Sequence, residues 1–381
     1  MKQTKISFRD YRVLYDGQKD GYDACAASLA WVDGELWCEC KPAFEDDEAG
    51  HQPFLVRTKD LGRTWTSPVP FGPSVIRDPS RESVFLSLNG PSASGTIFAN
   101  GFHIKLGAAN KGRIYEDQSF RPYPVFIGRK EKDHAAFDWK WYEPGTFLGE
   151  QFVERGFVLP SGRLVFTING AKQRGENWRC GVLLSDDDGR TWRYREVGYE
   201  PDLGIRDNPV MPAGFNEQTL FRTHDGQLVS IIRAREKLGR LADSPEDTWF
   251  YRSVSLDDGE TWSKPQATNL AGTGAAGSGL TLPDGSLLQA CRIPFSRRLY
   301  PLPEPELFGL HIARSFDEGK TWESAGLWQR DPHGNAFTNY YNTLNGQFVE
   351  LGDRKSLYVF GQFDLKAKRH RILCVTVQCE E

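Results

Sequence analysis

A small polar residue plus glycine, followed directly by an apolar strand, recurs along this chain. The segments are Val32-Asp33-Gly34-Glu35-Leu36-Trp37, Ala93-Ser94-Gly95-Thr96-Ile97-Phe98, Pro160-Ser161-Gly162-Arg163-Leu164-Val165, His224-Asp225-Gly226-Gln227-Leu228-Val229, Pro283-Asp284-Gly285-Ser286-Leu287-Leu288 and Leu344-Asn345-Gly346-Gln347-Phe348-Val349. Asp-Gly and Asn-Gly between apolar runs form hairpin turns, because glycine takes a positive φ at little cost. The six glycines are separated by 61, 67, 64, 59 and 61 residues. Such a near-constant interval predicts a repeat architecture. Helical patterning is nearly absent, and each unit has room for four short strands. The stretch Ile6 to Leu14 is predicted to supply a strand to the last unit and so close a ring.

A second signal follows four of these hairpins. It reads Thr58-Lys59-Asp60-Leu61-Gly62-Arg63-Thr64-Trp65, Ser185-Asp186-Asp187-Asp188-Gly189-Arg190-Thr191-Trp192, Ser255-Leu256-Asp257-Asp258-Gly259-Glu260-Thr261-Trp262 and Ser315-Phe316-Asp317-Glu318-Gly319-Lys320-Thr321-Trp322. The Asp carboxylate can accept backbone N–H groups within a tight turn. Gly supplies a left-handed step, Thr opens the next strand, and Trp buries its ring between neighbouring sheets. Asp60 and Asp187 lie 127 residues apart, about two units, so one copy has decayed around Asp133 to Trp139. The sixth unit also lacks one. The expected fold is all-β: a six-bladed β-propeller of four-stranded antiparallel blades, forming one domain over residues 1–381.

Composition narrows the function. The chain has 381 residues, with 38 Gly, 22 Pro and 11 Trp, and a net charge of −4. It lacks the basic excess that nucleic acid or an anionic membrane surface requires. No apolar run approaches the roughly 18 residues of a membrane-spanning helix. The N-terminal Met-Lys-Gln-Thr-Lys-Ile has no apolar core of a secretory signal, so a cytoplasmic location is expected. The seven cysteines contain no C-x-x-C pair, and Cys38 and Cys40 fall on one face of a strand as small core residues. The histidines are scattered, and no metal site is expected. The glycine-rich Gly272-Thr273-Gly274-Ala275-Ala276-Gly277 reads as a loop, since no helix follows it.

The four boxes resemble the Asp-boxes, or bacterial neuraminidase repeats, of the sialidase superfamily of six-bladed propellers. The resemblance covers essentially the whole chain. The boxes themselves are structural, so chemistry must come from residues at the mouth of the channel. In the fourth unit, Glu217 resembles the sialidase glutamate at the start of an inner strand. Arg233 resembles an arginine at the end of the next strand. The resemblance makes Glu217 the base partner of a nucleophile and Arg233 a ligand of the substrate carboxylate; the plain alternative is a salt bridge between them. In the sixth unit, Asn339-Tyr340-Tyr341-Asn342-Thr343-Leu344-Asn345-Gly346 is similar to the segment that holds the sialidase nucleophile, with Tyr341 in register and Tyr340 one residue off. A phenol activated by a glutamate approaches an anomeric carbon bearing a carboxylate with less repulsion than an acid would. The family's general acid lies on a loop before the first box. Here that loop is Glu45-Asp46-Asp47-Glu48, where Asp46 fits best and Asp47 next, against the reading of a solvated acidic loop.

Departures from the family pattern bear on specificity. Sialidases place Arg-Ile-Pro near the start of blade one; this chain has Tyr22-Asp23-Ala24-Cys25, which puts Asp23 in the funnel in place of an arginine. Arg292 sits seven residues after Gly285, the offset of Arg233 from Gly226, with Arg297 and Arg298 beyond it. Arg77-Asp78-Pro79-Ser80 resembles the family's Asp-Pro-Ser segment and offers Arg77 or Asp78 to the pocket, or a loop salt bridge. Each lost charge-assisted hydrogen bond to a carboxylate is worth about 1.5–3 kcal/mol. The implied function is a retaining exo-glycosidase acting on a terminal acidic sugar of a glycan or glycoconjugate, without a cofactor. Alternatives are a uronate-acting hydrolase or lyase on the same propeller, or a non-catalytic glycan-binding propeller.

Overall fold

A computed structural model describes residues 5–16, 26–41, 52–77, 82–105, 125–142, 148–172, 176–200, 214–235, 248–271, 279–291, 309–337, 346–364 and 369–380. These form six four-stranded antiparallel sheets, the blades of a propeller. The first strand of the chain, β1 (Lys5–Tyr15), belongs to blade six. Blade one is β2 (Ala26–Val32), β3 (Glu35–Lys41), β4 (Phe54–Thr58) and β5 (Val69–Pro70), and blade two is β6 (Glu82–Asn89), β7 (Ile97–Lys105), β8 (Val125–Lys130) and β9 (Asp138–Tyr142). Blade three is β10 (Leu148–Val158), β11 (Leu164–Ala171), β12 (Arg179–Ser185) and β13 (Arg193–Gly198), and blade four is β14 (Gly214–Arg222), β15 (Leu228–Arg235), β16 (Thr248–Ser255) and β17 (Gln266–Ala271). Blade five is β18 (Gly279–Thr281), β19 (Leu287–Cys291), β20 (Leu310–Ser315) and β21 (Glu323–Trp328). Blade six is β22 (Gly346–Gly352), β23 (Lys355–Asp364), β24 (Arg369–Glu380) and, outermost, β1.

The first strands of successive blades, β2, β6, β10, β14, β18 and β22, touch one another all the way round, which closes the ring. β1 pairs with β24 from Lys5↔Glu380 to Tyr15↔Ile372, as expected for a chain whose N-terminal segment completes its last blade. That arrangement explains the missing sixth box. The box joins the third strand of a blade to its fourth, and in blade six those strands are the two ends of the chain.

Apolar packing follows the same plan. Six clusters of buried side chains lie one at each blade-to-blade interface. Trp65, Trp192, Trp262 and Trp322 each pack into the interface with the preceding blade. In blade two, where the box has decayed, Trp139 packs into the interface with blade one and meets Phe71 edge to face at 5.7 Å. Cys38 and Cys40 are buried, free, and face each other at 3.7 Å between sulfurs.

The boxes are closed hydrogen-bond rings. In the second, the Ser185 hydroxyl donates to Asp187 Oδ1 at 2.8 Å and accepts from Gly189 N at 2.9 Å. Asp187 in turn accepts from the Thr191 N–H at 2.8 Å and its hydroxyl at 2.6 Å. The Trp192 indole donates to Gly189 O at 3.1 Å. The other three boxes repeat the hydroxyl and carboxylate contacts, and the first differs in sending its indole to Leu14 O. The residue before each box glycine also adopts a positive φ: 56° at Leu61, 57° at Asp188, 54° at Asp258 and 60° at Glu318.

Those four carbonyls have a second role. Arg12 donates to Leu61 O at 2.6 Å, Arg129 to Asp188 O at 2.8 Å, Arg163 to Asp258 O at 3.1 Å and Arg252 to Glu318 O at 2.7 Å. Every donor belongs to the preceding blade. A guanidinium therefore pins each box to its neighbour, a charge-assisted contact stronger than a neutral one.

Five of the six expected hairpins stand as turns. Asp33-Gly34 is a two-residue turn with φ of 48° and 79°. At Gly95, Gly162, Gly226 and Gly285 a wider five-residue turn repeats, closed for example by Thr223 N donating to Gln227 O at 2.9 Å and Gly226 N to Thr223 O at 3.0 Å. The expectation at Asn345-Gly346 is corrected. Gly346 opens the innermost strand β22, and the hairpin of blade six lies at Asp353-Arg354, with φ of 49° and 57°. Gly346 tolerates no side chain there: a Cβ would lie 2.3 Å from Val359 O.

The Thr64 N–H, the Thr64 and Thr58 hydroxyls hold Asp60 down to about 2. Burial pushes Asp187 up, but its hydrogen bonds from Thr191, Ser185 and Arg190 outweigh this and hold it at about 2. A carboxyl lowered in the folded state stabilises above its unfolded value, and that contribution fades as pH falls through the folded value. Melting temperature should therefore drop between about pH 4 and pH 2, and Asp187→Asn should flatten the drop while lowering the melting temperature at pH 7. At the junction of blades five and six, Arg371 is buried and donates to Asp331 and Gln362 at 2.9 Å, with Asp364 also at 2.9 Å. Arg371→Leu removes the cation from two carboxylates and should cost about 3–5 kcal/mol by denaturant unfolding.

Candidate functional site

The strands of each blade alternate in direction, so the propeller has two unlike ends. Hairpins and boxes occupy one. At the other, every first strand begins and every second strand finishes. The starts of β2, β6, β10, β14, β18 and β22 therefore surround the channel mouth at this second end.

Glu217 and Arg233 both stand there, the first near the start of β14 and the second near the finish of β15. The pairing skips a residue: Asn216 faces Arg233 and Gln218 faces Ile232, leaving Glu217 as a β-bulge. Its φ is +43°, a left-handed conformation that glutamate rarely adopts. Without the bulge, strand alternation would put Glu217 on the face opposite to Asn216 and Gln218 and within the pleat. The bulge turns the carboxylate toward Arg233, and Oε2 lies 2.6 Å from Arg233 Nη1. The Glu217 side chain is 20% exposed and Arg233 9%, so the pair is sunk into the mouth. The two residues chosen from the fourth unit thus meet, in the ion pair that was the plain alternative for them.

Arg77 is exposed just before blade two, and its N–H donates to Glu82 Oε2 at 2.7 Å. Glu82 is the first residue of the innermost strand β6 and is 5% exposed. Sequence reasoning passed over it. A charged residue opening an innermost strand that is otherwise uncharged, Glu82-Ser83-Val84-Phe85-Leu86, is the signal that marks it. It ties the Arg77 segment to the mouth by its backbone.

Tyr341, Asp46, Arg292, Asp78 and Asp23 lie outside the described residues. The strands flanking them in the chain all end at the same end of the propeller: β21 and β22 around Tyr341, β3 and β4 around Asp46, β5 and β6 around Asp78, and β1 and β2 around Asp23. β19 is described as far as Cys291, one residue short of Arg292. Among the described residues no group of three or more His, Cys, Asp or Glu is placed to hold a metal ion, and no helix is long and apolar enough to cross a membrane.

The fold is shared with proteins of very different sequence. A protein of unknown function from Dyadobacter fermentans superposes with a TM-score of 0.69 at 15% identity, covering 98% of this chain and 99% of that one. The Hadza microbial sialidase Hz136 gives 0.67 at 16% identity, covering 98% of this chain and 68% of that one. A single-residue variant of the NanB sialidase from Streptococcus pneumoniae gives 0.63 at 14% identity, covering 97% and 71%. No curated protein matches the chain by sequence. The family described as BNR repeat-like domain matches residues 142–348, more than half of the chain. The chain therefore belongs to the BNR repeat-like domain family, on the six-bladed propeller that sialidases also use.

Proposed function

We propose that the protein is a retaining exo-glycosidase of sialidase type that removes a terminal acidic sugar from a glycan or glycoconjugate. The observation that carries this reading is the Glu217–Arg233 pair, a carboxylate turned by a bulge onto a sunken guanidinium at the channel mouth. A structural ion pair has no need of a strained backbone. Strain of this kind costs of order 1–3 kcal/mol and collects at functional sites.

Glu217 takes the phenolic proton of Tyr341 as the phenol oxygen attacks the anomeric carbon. Asp46 protonates the departing glycosidic oxygen. Water then attacks the glycosyl–tyrosine intermediate, with Asp46 accepting its proton, the phenoxide leaving and Glu217 returning a proton to it. Arg233 and Arg292 hold the anionic group of the sugar, and Arg77 and Asp78 border it. Asp23, standing where sialidases have an arginine, favours a second reading, a hydrolase or lyase acting on uronates.

The test offers a fluorogenic sialoside, a panel of uronides and an acidic polysaccharide to the wild type, Tyr341→Phe and Glu217→Gln. Sialoside cleavage is expected, falling about 10²–10⁴-fold in Glu217→Gln and at least as far in Tyr341→Phe. Turnover of uronides alone, or an unsaturated product absorbing in the ultraviolet, would establish the second reading. Binding without turnover would make the protein a glycan-binding propeller.

A further inference from the structure

The bulge at Glu217 raises the question of what holds it. A glutamate in the left-handed region would relax to an ordinary strand conformation if the register could slip by one residue, since glycine alone sits there without cost. The neighbouring residue prevents this. Gln218 is 1% exposed, and its amide is engaged on both sides. Nε2 donates to Gly181 O at 2.6 Å and Ile168 O at 3.3 Å, two residues that pair with each other across β11 and β12 of blade three. Oε1 accepts the Ser230 hydroxyl at 2.9 Å, from β15 of its own blade. Asn216, on the other side, is 2% exposed and in register with Arg233. The strand is thus fixed immediately before and immediately after Glu217, and the extra residue has nowhere to go but outward.

We propose that Gln218 is a positioning residue: by clamping β14 to blade three and to Ser230 it enforces the bulge that presents Glu217 to Arg233. The consequence for chemistry rests on the glycosidase reading above, whereas the mechanical claim does not. A slip of one residue would send the Gln218 amide out of its site between two carbonyls, leaving buried polar groups unpaired. That penalty is what opposes relaxation of the strained backbone.

The test separates enforcement of the bulge from simple packing. Glu217→Gly and Glu217→Ala both delete the carboxylate and differ in how they tolerate a positive φ. In the otherwise native protein the Gly variant should melt about 1–3 °C above the Ala variant. In a Gln218→Leu background, where the clamp is gone, that gap should close. Ser230→Ala, which removes one of the clamp's bonds and keeps the fold, should narrow it, and it decides the matter if Gln218→Leu does not fold. A gap that persists undiminished in these backgrounds overturns the proposal. Turnover is the second readout: Gln218→Leu should lower kcat for the cleaved glycoside at least tenfold. If the gap closes but wild-type protein cleaves no glycoside, the clamp stands and the glycosidase reading falls. If glycosides are cleaved and the gap survives, the reverse holds.

Discussion

The whole molecule depends on pairing its two ends. β1 and β24 share a sheet, with Arg9 and Glu380 in contact at 3.3 Å. Joining residues so far apart in sequence has an entropic cost of about 5 kcal/mol from the logarithmic dependence on loop length, and no single ion pair at an exposed edge offsets it. What offsets it is an extended ladder whose strand is also packed: Phe8 meets Trp328 edge to face at 5.0 Å, and Tyr15 meets Trp65 at 5.3 Å. The terminal strand therefore packs against both neighbours of blade six, blade five through Trp328 and blade one through Trp65. Gln347 adds a clamp on the inner side, exchanging two hydrogen bonds of 2.8 Å with the backbone of Leu29 in blade one. Inner and outer edges of the joint are thus held by different forces.

Much of this was legible in the sequence because it is local. Box spacing and hairpin glycines report turns formed within a few residues, and turns repeated at equal intervals imply a ring. The misplaced sixth hairpin shows the limit. Asn345-Gly346 before an apolar run has the composition of a turn, yet Gly346 is needed because a neighbouring carbonyl leaves no room for a Cβ. The true turn uses Asp353 and Arg354 in left-handed conformations, and arginine carries no such preference. The arginine pins were equally illegible. Arg12, Arg129, Arg163 and Arg252 have no common place in the repeat, and their acceptors are backbone carbonyls of another blade.

For the site, the residue types could be read and the geometry could not. Glu217 and Arg233 were found by resemblance, and they do meet. Nothing in Asn216-Glu217-Gln218 announces a bulge, since the residue that takes the positive φ is neither glycine nor asparagine. Gln218 reads as an ordinary polar residue of an inner strand until its partners in blade three are known. Non-local contacts thus decide the orientation of a side chain that local sequence only names.

The two ends of the propeller divide the labour. At the box end, turns are closed by their own hydroxyls and carboxylates and then pinned to the next blade. The decayed box of blade two is compensated in the same currency: Asp188 of blade three accepts from Ser92, Ser94 and Thr96 of the blade two hairpin and from Arg129. Such a surplus of satisfied groups at one end permits departures from ideal geometry at the other. A bulged, left-handed glutamate survives at the mouth because the strand bearing it is paired in register at Asn216 and tied to blade three through the buried Gln218 side chain, in a ring that is already closed. The same logic explains how one scaffold can retain its fold at sequence identities near 15%: the boxes and interfaces specify the ring, and the opposite end is left to vary with the chemistry it serves.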